Sequence, residues 1–343
     1  MKKVFLSMAA FALVMASCSK EEVPGTTNPD GVTNAVAIKI GQTVKGLETK
    51  APVVANSKVD ATVLMHDASS ASAEWGTFSA VYKNTVNGSN TFDKDADRAT
   101  VSTATFTAGD KAAVTLAPAL YYPVKSNSNH AILSAVSPKG TVEGQTVKMA
   151  NVDGEQDVMY APAVDFGTTP TGTTTAANLE FAHKTTQLIF KMKMTAASSD
   201  GEWGGSATLK SISLVDGQLP TAVNFTNGEV SWTNPAPVAV PGISNSAIAT
   251  TDAAQVGKAL MVKAGGVKVN VEILAGGKTY TYNDVVVMKA GASTTPLVAA
   301  EGSSHTITLS VTEPAKATGA KEISATATVT EWKTGDAGSA DLK

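Results

Sequence analysis

Residues 34–44 read NAVAIKIGQTV, and this stretch decides the kind of fold that we expect. Val36, Ile38 and Ile40 alternate with small or charged residues. An apolar residue at every second position places one face of the segment against a core, which is typical of a half-buried β-strand. The stretch therefore predicts a strand from Asn34 to Val44.

The same alternation recurs along the rest of the chain. Val and Thr are abundant, and both residues favour pleated sheets. We therefore predict an all-β protein with two β-sandwich domains of mostly antiparallel strands and little helix. Only Thr251–Leu260 is predicted as a short helix. Further strand predictions are Leu188–Met194, a bulged strand at Ala207–Val215, an edge strand at Gly228–Trp232, a hairpin turning at Gly276-Gly277, His305–Val311 and Ile323–Val329.

Composition shifts divide the chain into four parts. Residues 1–18 are predicted to be a signal peptide, and 19–50 a polar tether that carries the first strand. Residues 51–170 and 171–343 are predicted to form the N-terminal and C-terminal sandwich domains. The boundary falls in Thr168–Ala177, a run of Thr, Pro, Gly and Ala that is typical of a linker.

The first 18 residues have the order of an export signal. A basic start at Lys2 and Lys3 precedes an apolar run from Val4 to Met15, which is shorter than the roughly 20 residues that a membrane-spanning helix needs. Met15-Ala16-Ser17-Cys18 resembles a bacterial lipobox, so we predict lipidation of Cys18 and anchoring in the outer membrane. The alternative is an ordinary signal peptide that contains a cysteine.

Net charge and cysteine content limit the partners and the covalent cross-links that we expect. A net charge of −3 disfavours a nucleic-acid partner, which requires a basic surface. Cys18 is the only cysteine, so the chain cannot form an internal disulfide bond, and its stability must come from core burial and strand pairing.

Motifs for catalysis and metal binding are missing from the sequence. No G-x-S-x-G elbow, P-loop or dinucleotide-binding glycine pattern is present, and the histidines have no zinc-ligand spacing. The segment Asp93–Asp97 resembles the start of a calcium loop, but Arg98 and Ala104 occupy the positions where glycine and glutamate are needed. We therefore predict a protein without enzymatic activity and without a cofactor.

Two tryptophans leave a second interpretation open. Trp75 and Trp203 lie in polar surroundings, and either could be a surface contact for a sugar. The alternative function is a monomeric surface lipoprotein that keeps its first strand and binds glycans.

A set of motifs in a fixed order points to a family. The lipobox, the single strand at Asn34–Val44 and basic residues behind it at Lys45 and Lys50 come first. They are followed by Tyr121-Tyr122-Pro123 before an apolar strand, by Phe181-Ala182-His183-Lys184 before Leu188, and by Ala327-Thr328-Val329 through Trp332 to Gly335. With these motifs in this order, the chain resembles the fimbrillins, the subunits of type V pili of Gram-negative anaerobes.

The resemblance implies assembly by strand replacement. A Lys/Arg-specific protease would cut the lipidated precursor between Lys50 and Ala51, with Lys45 and Lys58 as alternative sites. The removed part would carry the strand of Val36, Ile38 and Ile40, and the vacated groove would accept a strand from another copy or a related fimbrial subunit. The donor would be the C-terminal strand of Ile323, Ala325, Ala327 and Val329. The finished fimbria would support adhesion through a ligand on a host or bacterial surface.

Overall fold

The computed structural model describes residues 38, 40–44, 58–68, 80–83, 98–107, 114–117, 120, 122, 130–168, 178–195, 201–291, 294–314 and 322–331. Within these ranges the regular elements are β-strands, which confirms the all-β prediction. The described ranges contain no helix that is long and apolar enough to span a membrane. Several sequence predictions lie outside the described residues: the signal peptide with Cys18, Val36, Lys45, Lys50, Ala51, Trp75, Asp93–Asp97, the linker core 169–177 and Trp332.

Ten strands precede residue 184. They are β1 (Gly41–Val44), β2 (Lys58–Ala68), β3 (Ala80–Lys83), β4 (Arg98–Thr107), β5 (Thr115–Ala117), β6 (His130–Ser137), β7 (Thr141–Glu143), β8 (Thr146–Lys148), β9 (Met159–Asp165) and β10 (Asn178–His183). Eight of them form one sheet in the order β1-β10-β9-β6-β2-β4-β3, with β5 paired to β4.

The remaining strands follow residue 185. They are β11 (Thr186–Thr195), β12 (Thr208–Gly217), β13 (Pro220–Asn224), β14 (Val230–Trp232), β15 (Ala236–Ala239), β16 (Ser246–Ala247), β17 (Ala254–Gln255), β18 (Leu260–Val262), β19 (Gly265–Gly266), β20 (Lys268–Ala275), β21 (Lys278–Val286), β22 (Met288–Lys289), β23 (Val298–Ala299), β24 (Ser303–Thr312) and β25 (Glu322–Glu331). One sheet has the order β17-β11-β24-β25-β22 with β18 beside β11, and another has the order β15-β12-β20-β21 with β16 beside β12.

Strand β6 is buried on both faces, which makes it the centre of the first half. Leu133 and Ala135 belong to a core that also contains residues of β2, β4, β9 and β10, all from the same sheet. Val136 belongs to a second core on the other face. One face of this sheet, together with Ile38 and Ile40, therefore lines the first core.

A single large core lies between the two sheets of the second half. Buried residues alternate along β20 and β24, so each strand turns one face to the partner sheet. The predicted hairpin is confirmed at Gly276 and Gly277, whose φ values of 54° and 77° suit a two-residue turn. The bulge predicted in Ala207–Val215 is confirmed between Leu209 and Ser211 of β12. β14 is confirmed as an edge strand.

Strands from both halves of the sequence meet at the junction. β13 and β14 follow residue 219, yet they form a four-stranded sheet with β7 and β8. Phe225, which is fully buried, accepts hydrogen bonds at its carbonyl from Ser134 Oγ (3.0 Å) and Tyr160 OH (3.3 Å). The domain limits at 51–170 and 171–343 stay a prediction, but the packing is shared across them.

Two local predictions were wrong. The segment Thr251–Leu260 is not a helix: Val256 N–H donates to Phe190 C=O (2.9 Å), and the neighbouring β17 pairs with β11. Trp203 is not a surface residue, because its side chain is 3% exposed and its ring packs on Tyr280 at 5.1 Å. Its loop is held inside by Glu313, whose Oε1 accepts the N–H of Trp203 at 2.7 Å.

Candidate strand-docking site

The C-terminal half of β1 lies along the edge strand β10. The two strands run parallel, in the register Gly41↔Asn178 to Val44↔Phe181. Apart from this pairing, β10 contacts the sheet through β9 on its other side. β1 therefore covers an edge of β10 that would otherwise expose unpaired backbone groups.

The residues before β1 pair with a different part of the sheet. Ile38 N–H donates to Leu120 C=O (2.8 Å), and Val114 N–H donates to Ile40 C=O (2.9 Å). Val114 leads directly into β5, which pairs with β4 near the opposite end of the sheet. The segment 38–44 thus joins two distant edges of one sheet, a role that the alternating pattern of its sequence could not reveal.

Alternate side chains of this segment point into the core. Ile38, Ile40 and Gln42 are 5%, 0% and 6% exposed. The two isoleucines share the core with Leu179 and Phe181 of β10. Burial of each isoleucine is worth about 1.5–3 kcal/mol, so the two together hold the segment by several kcal/mol.

The predicted cleavage sites lie at or near the connection from β1 to β2. β1 ends at Val44, and β2 begins at Lys58. Among the predicted cleavage sites, Lys58 lies within the described residues, and it pairs with Thr107 in the β2–β4 ladder. Proteases prefer exposed segments whose backbone is free of such pairing.

The predicted donor strand lies in another sheet. β25 pairs with β24 along its whole length, so that Ile323, Ala325, Ala327 and Val329 lie opposite Val311, Leu309, Ile307 and His305. It also pairs with Met288 and Lys289 of β22. The structure therefore does not bring the segments of Ile38 and Ile323 together, and donation would require β25 to leave its own sheet.

Two histidines away from the strand-docking site each contact an aspartate side chain. His183 Nδ1 is 2.8 Å from Asp157 Oδ2, and both side chains are almost completely buried at the junction of the two halves. His130 Nδ1 lies 2.9 Å from an Asp165 oxygen. Within the described ranges no group of three or more His, Cys, Asp and Glu residues could hold a metal ion.

His305 should make the protein sensitive to acid. Burial lowers its pKa from 6.5 to about 4, and its Nε2 accepts the N–H of Ala300. Between these pH values the unfolded chain binds more protons than the folded chain, so the free energy of unfolding should fall by roughly 2–3 kcal/mol as the pH falls from 6.5 to 4. The free energy of unfolding, measured with urea at several pH values across this range, should depend less on pH in His305→Gln than in the unmodified protein. An equal dependence on pH in the two proteins would contradict the prediction.

Fold and site together define an all-β protein whose first strand joins two edges of its sheet. A model of the fimbrillin-like family matches residues 68–332. The chain therefore belongs to the fimbrillin-like family. The matched range begins after β1, so the assignment does not depend on that strand. No curated protein is similar enough in sequence to be matched.

Several solved structures are similar to this chain over most of its length. One is a candidate cell adhesion protein of Bacteroides uniformis, with 15% identity, 87% of this chain and 98% of that chain covered, and a TM-score of 0.45. Another, from Bacteroides eggerthii, has 11% identity, coverage of 91% and 98%, and a TM-score of 0.46. The tip fimbrial protein Mfa3 of Porphyromonas gingivalis, truncated at its C-terminus, has 8% identity, coverage of 86% and 99%, and a TM-score of 0.39.

Proposed function

We propose that this protein is a structural, non-enzymatic subunit of a cell-surface fimbria, and that it is assembled by replacement of β1. The observation that carries the proposal is the double pairing of residues 38–44, which close the sheet between β10 and Val114–Leu120. A strand in that position can be exchanged for another without any change in the order of the other strands.

Loss of β1 would create a strong binding site for a new strand. The edge of β10 would expose unpaired N–H and C=O groups, and Leu179 and Phe181 would lose the isoleucines that cover them. Exposed edges of this kind bind extended segments by main-chain hydrogen bonds, while side-chain pockets supply specificity. A strand with apolar residues at alternate positions would therefore be taken up.

In this proposal, proteolytic cleavage of the precursor allows β1 to leave. The precursor would reach the outer membrane through lipid on Cys18, and a Lys/Arg-specific protease would cut between Lys50 and Ala51. Before the cut, β1 is tethered beside its groove, and afterwards only non-covalent contacts hold it. The partner would be another copy or a related fimbrial subunit, and the fibre would support adhesion.

The donor in this scheme is the segment Ile323–Val329. Its ten-residue strand β25 is paired along its whole length with β24, and each backbone hydrogen bond contributes about 1 kcal/mol. Release of β25 must therefore be offset by the contacts that it gains in the neighbour's groove. Exchange is expected to be slow until a vacant groove is available.

Limited proteolysis tests the proposal. Treatment of the precursor with a lysine-specific protease should give a product that begins at Ala51 and sediments as an oligomer. Lys50→Gln should slow both cleavage and assembly, while Lys210→Gln, an exposed position on β12, should change neither. The proposal fails if no cut occurs between Lys45 and Lys58, or if the trimmed product stays monomeric at every concentration.

A further inference from the structure

A second binding site lies at one end of the C-terminal sandwich, apart from β1. A cavity of about 860 Å³ opens where β12 ends and β20 begins, and we call it the β19 cleft. Its lining includes Leu188, Leu214 and Leu297, which belong to the core of the second half. Its volume falls in the range of about 300–1,000 Å³ that is typical of ligand pockets.

One wall of the cleft is bare backbone. β19 consists of Gly265 and Gly266 and pairs only with Val298 and Ala299, so this two-stranded sheet is isolated among the described strands. A Cβ atom built on Gly266 meets no atom within 4 Å, and Gly266 does not have a positive φ. Neither packing nor backbone conformation requires glycine at this position. Glycine in a strand often marks a place where a ligand or another backbone approaches closely.

The rim of the cleft adds positive charge and exposed apolar surface. Lys263 and Lys268 flank the glycines, and neither forms an ion pair within the part of the chain that the structure describes. Lys263 Nζ lies 5.9 Å from the ring centroid of Trp232, which is not part of the lining. Asp216 is the one carboxylate of the lining, and Val298 is 72% exposed beside the glycines.

We propose that the β19 cleft binds an extended acidic peptide segment of another protein. An apolar side chain of the peptide would contact the exposed Val298, and its carboxylates would face Lys263 and Lys268. The peptide backbone would lie against Gly265 and Gly266, where no side chain obstructs it. The lining contains no aromatic ring, so the stacking surface that usually recognises a sugar is missing from it.

This site does not involve β1. The cleft residues belong to the sheets and connections of the second half, while β1 pairs with β10 and the Val114–Leu120 segment. The donor strand β25 shares a sheet with Leu188 of the lining, so the test uses the uncut chain, in which both strands are in place. A failure of strand replacement would therefore leave the result of this test unaffected.

A peptide in which acidic and apolar residues alternate tests the cleft directly. The probe is fluorescein-labelled Gly-Glu-Val-Glu-Val-Glu-Gly, titrated with the full uncut chain by fluorescence anisotropy. Binding should weaken as salt rises, and the matched peptide with Lys in place of each Glu should bind at least about tenfold more weakly. Lys268→Glu should weaken binding of the acidic peptide, and Asp216→Asn should strengthen it.

Gly266→Val supplies the decisive variant. Because a Cβ atom on Gly266 meets no atom within 4 Å, this change adds a branched side chain to the wall of the cleft without a steric clash. It should leave the melting temperature unchanged and weaken peptide binding about tenfold or more. The control is Thr281→Val, an exposed strand residue away from the cleft. Peptide binding that survives Gly266→Val would overturn the proposal. So would preferential binding of glucuronic acid over the peptide, since that result would assign the cleft to an acidic sugar.

Discussion

Ile40→Asp should destabilise the uncut protein by more than about 4 kcal/mol. The change places a carboxylate at a fully buried position in an apolar core, where its charge is not compensated. Ile40→Val removes a single methylene group and should cost only about 0.5–1.5 kcal/mol. Urea unfolding of both variants, in chains that carry Cys18→Ala, measures the difference.

Hydrogen exchange should show which strands lose amide protection in Ile40→Asp. If residues 38–44 hold two edges together, Ile40→Asp should speed amide exchange in β10 and in the Val114–Leu120 segment. Amides of β20 lie in a separate core and should keep their protection. Uniformly faster exchange throughout the chain, or no change in β10, would show that β1 is not the element that closes this sheet.

Sequence patterns fixed the faces of strands better than their partners. The alternation of Ile38 and Ile40 correctly indicated two buried positions, since a period of two assigns each side chain to a face. It could not indicate that β1 runs parallel to β10, because that register depends on contacts between residues far apart in the sequence. The partner of a strand is a property of the whole fold.

Polar neighbours misled the interpretation of Trp203 for a similar reason. Gly201, Glu202 and Gly204 surround it in the sequence, and such a loop is usually exposed. The distant Glu313 carboxylate accepts the N–H groups of Trp203 and Gly205, which draws the loop against the core. One tryptophan of the glycan-binding alternative is therefore buried, and that alternative now depends on Trp75, outside the described residues. The β19 cleft was missed because glycines and lysines carry no distinctive pattern.

Cutting at Lys50 should make the stability of the protein depend on its concentration. A tethered strand has an effective concentration of about 1 mM, whereas a severed strand in a 1 μM sample is roughly a thousandfold more dilute. This difference corresponds to about 4 kcal/mol, and every tenfold dilution should remove about 1.4 kcal/mol more. The melting temperature of the cut complex should therefore fall on dilution, while that of the uncut chain should stay constant.

Added peptide should reverse the effect by mass action. An excess of the synthetic segment 34–50 should raise the melting temperature of the cut protein, since it binds only the folded groove. The same peptide with Ile38→Ser and Ile40→Ser is the matched control, because it keeps the backbone and loses the two buried side chains. If the control peptide stabilises equally well, main-chain pairing alone holds the strand, and the isoleucines do not select it. If neither peptide acts and dilution has no effect, the strand stays bound without its tether, and replacement by a neighbour could not proceed on this basis.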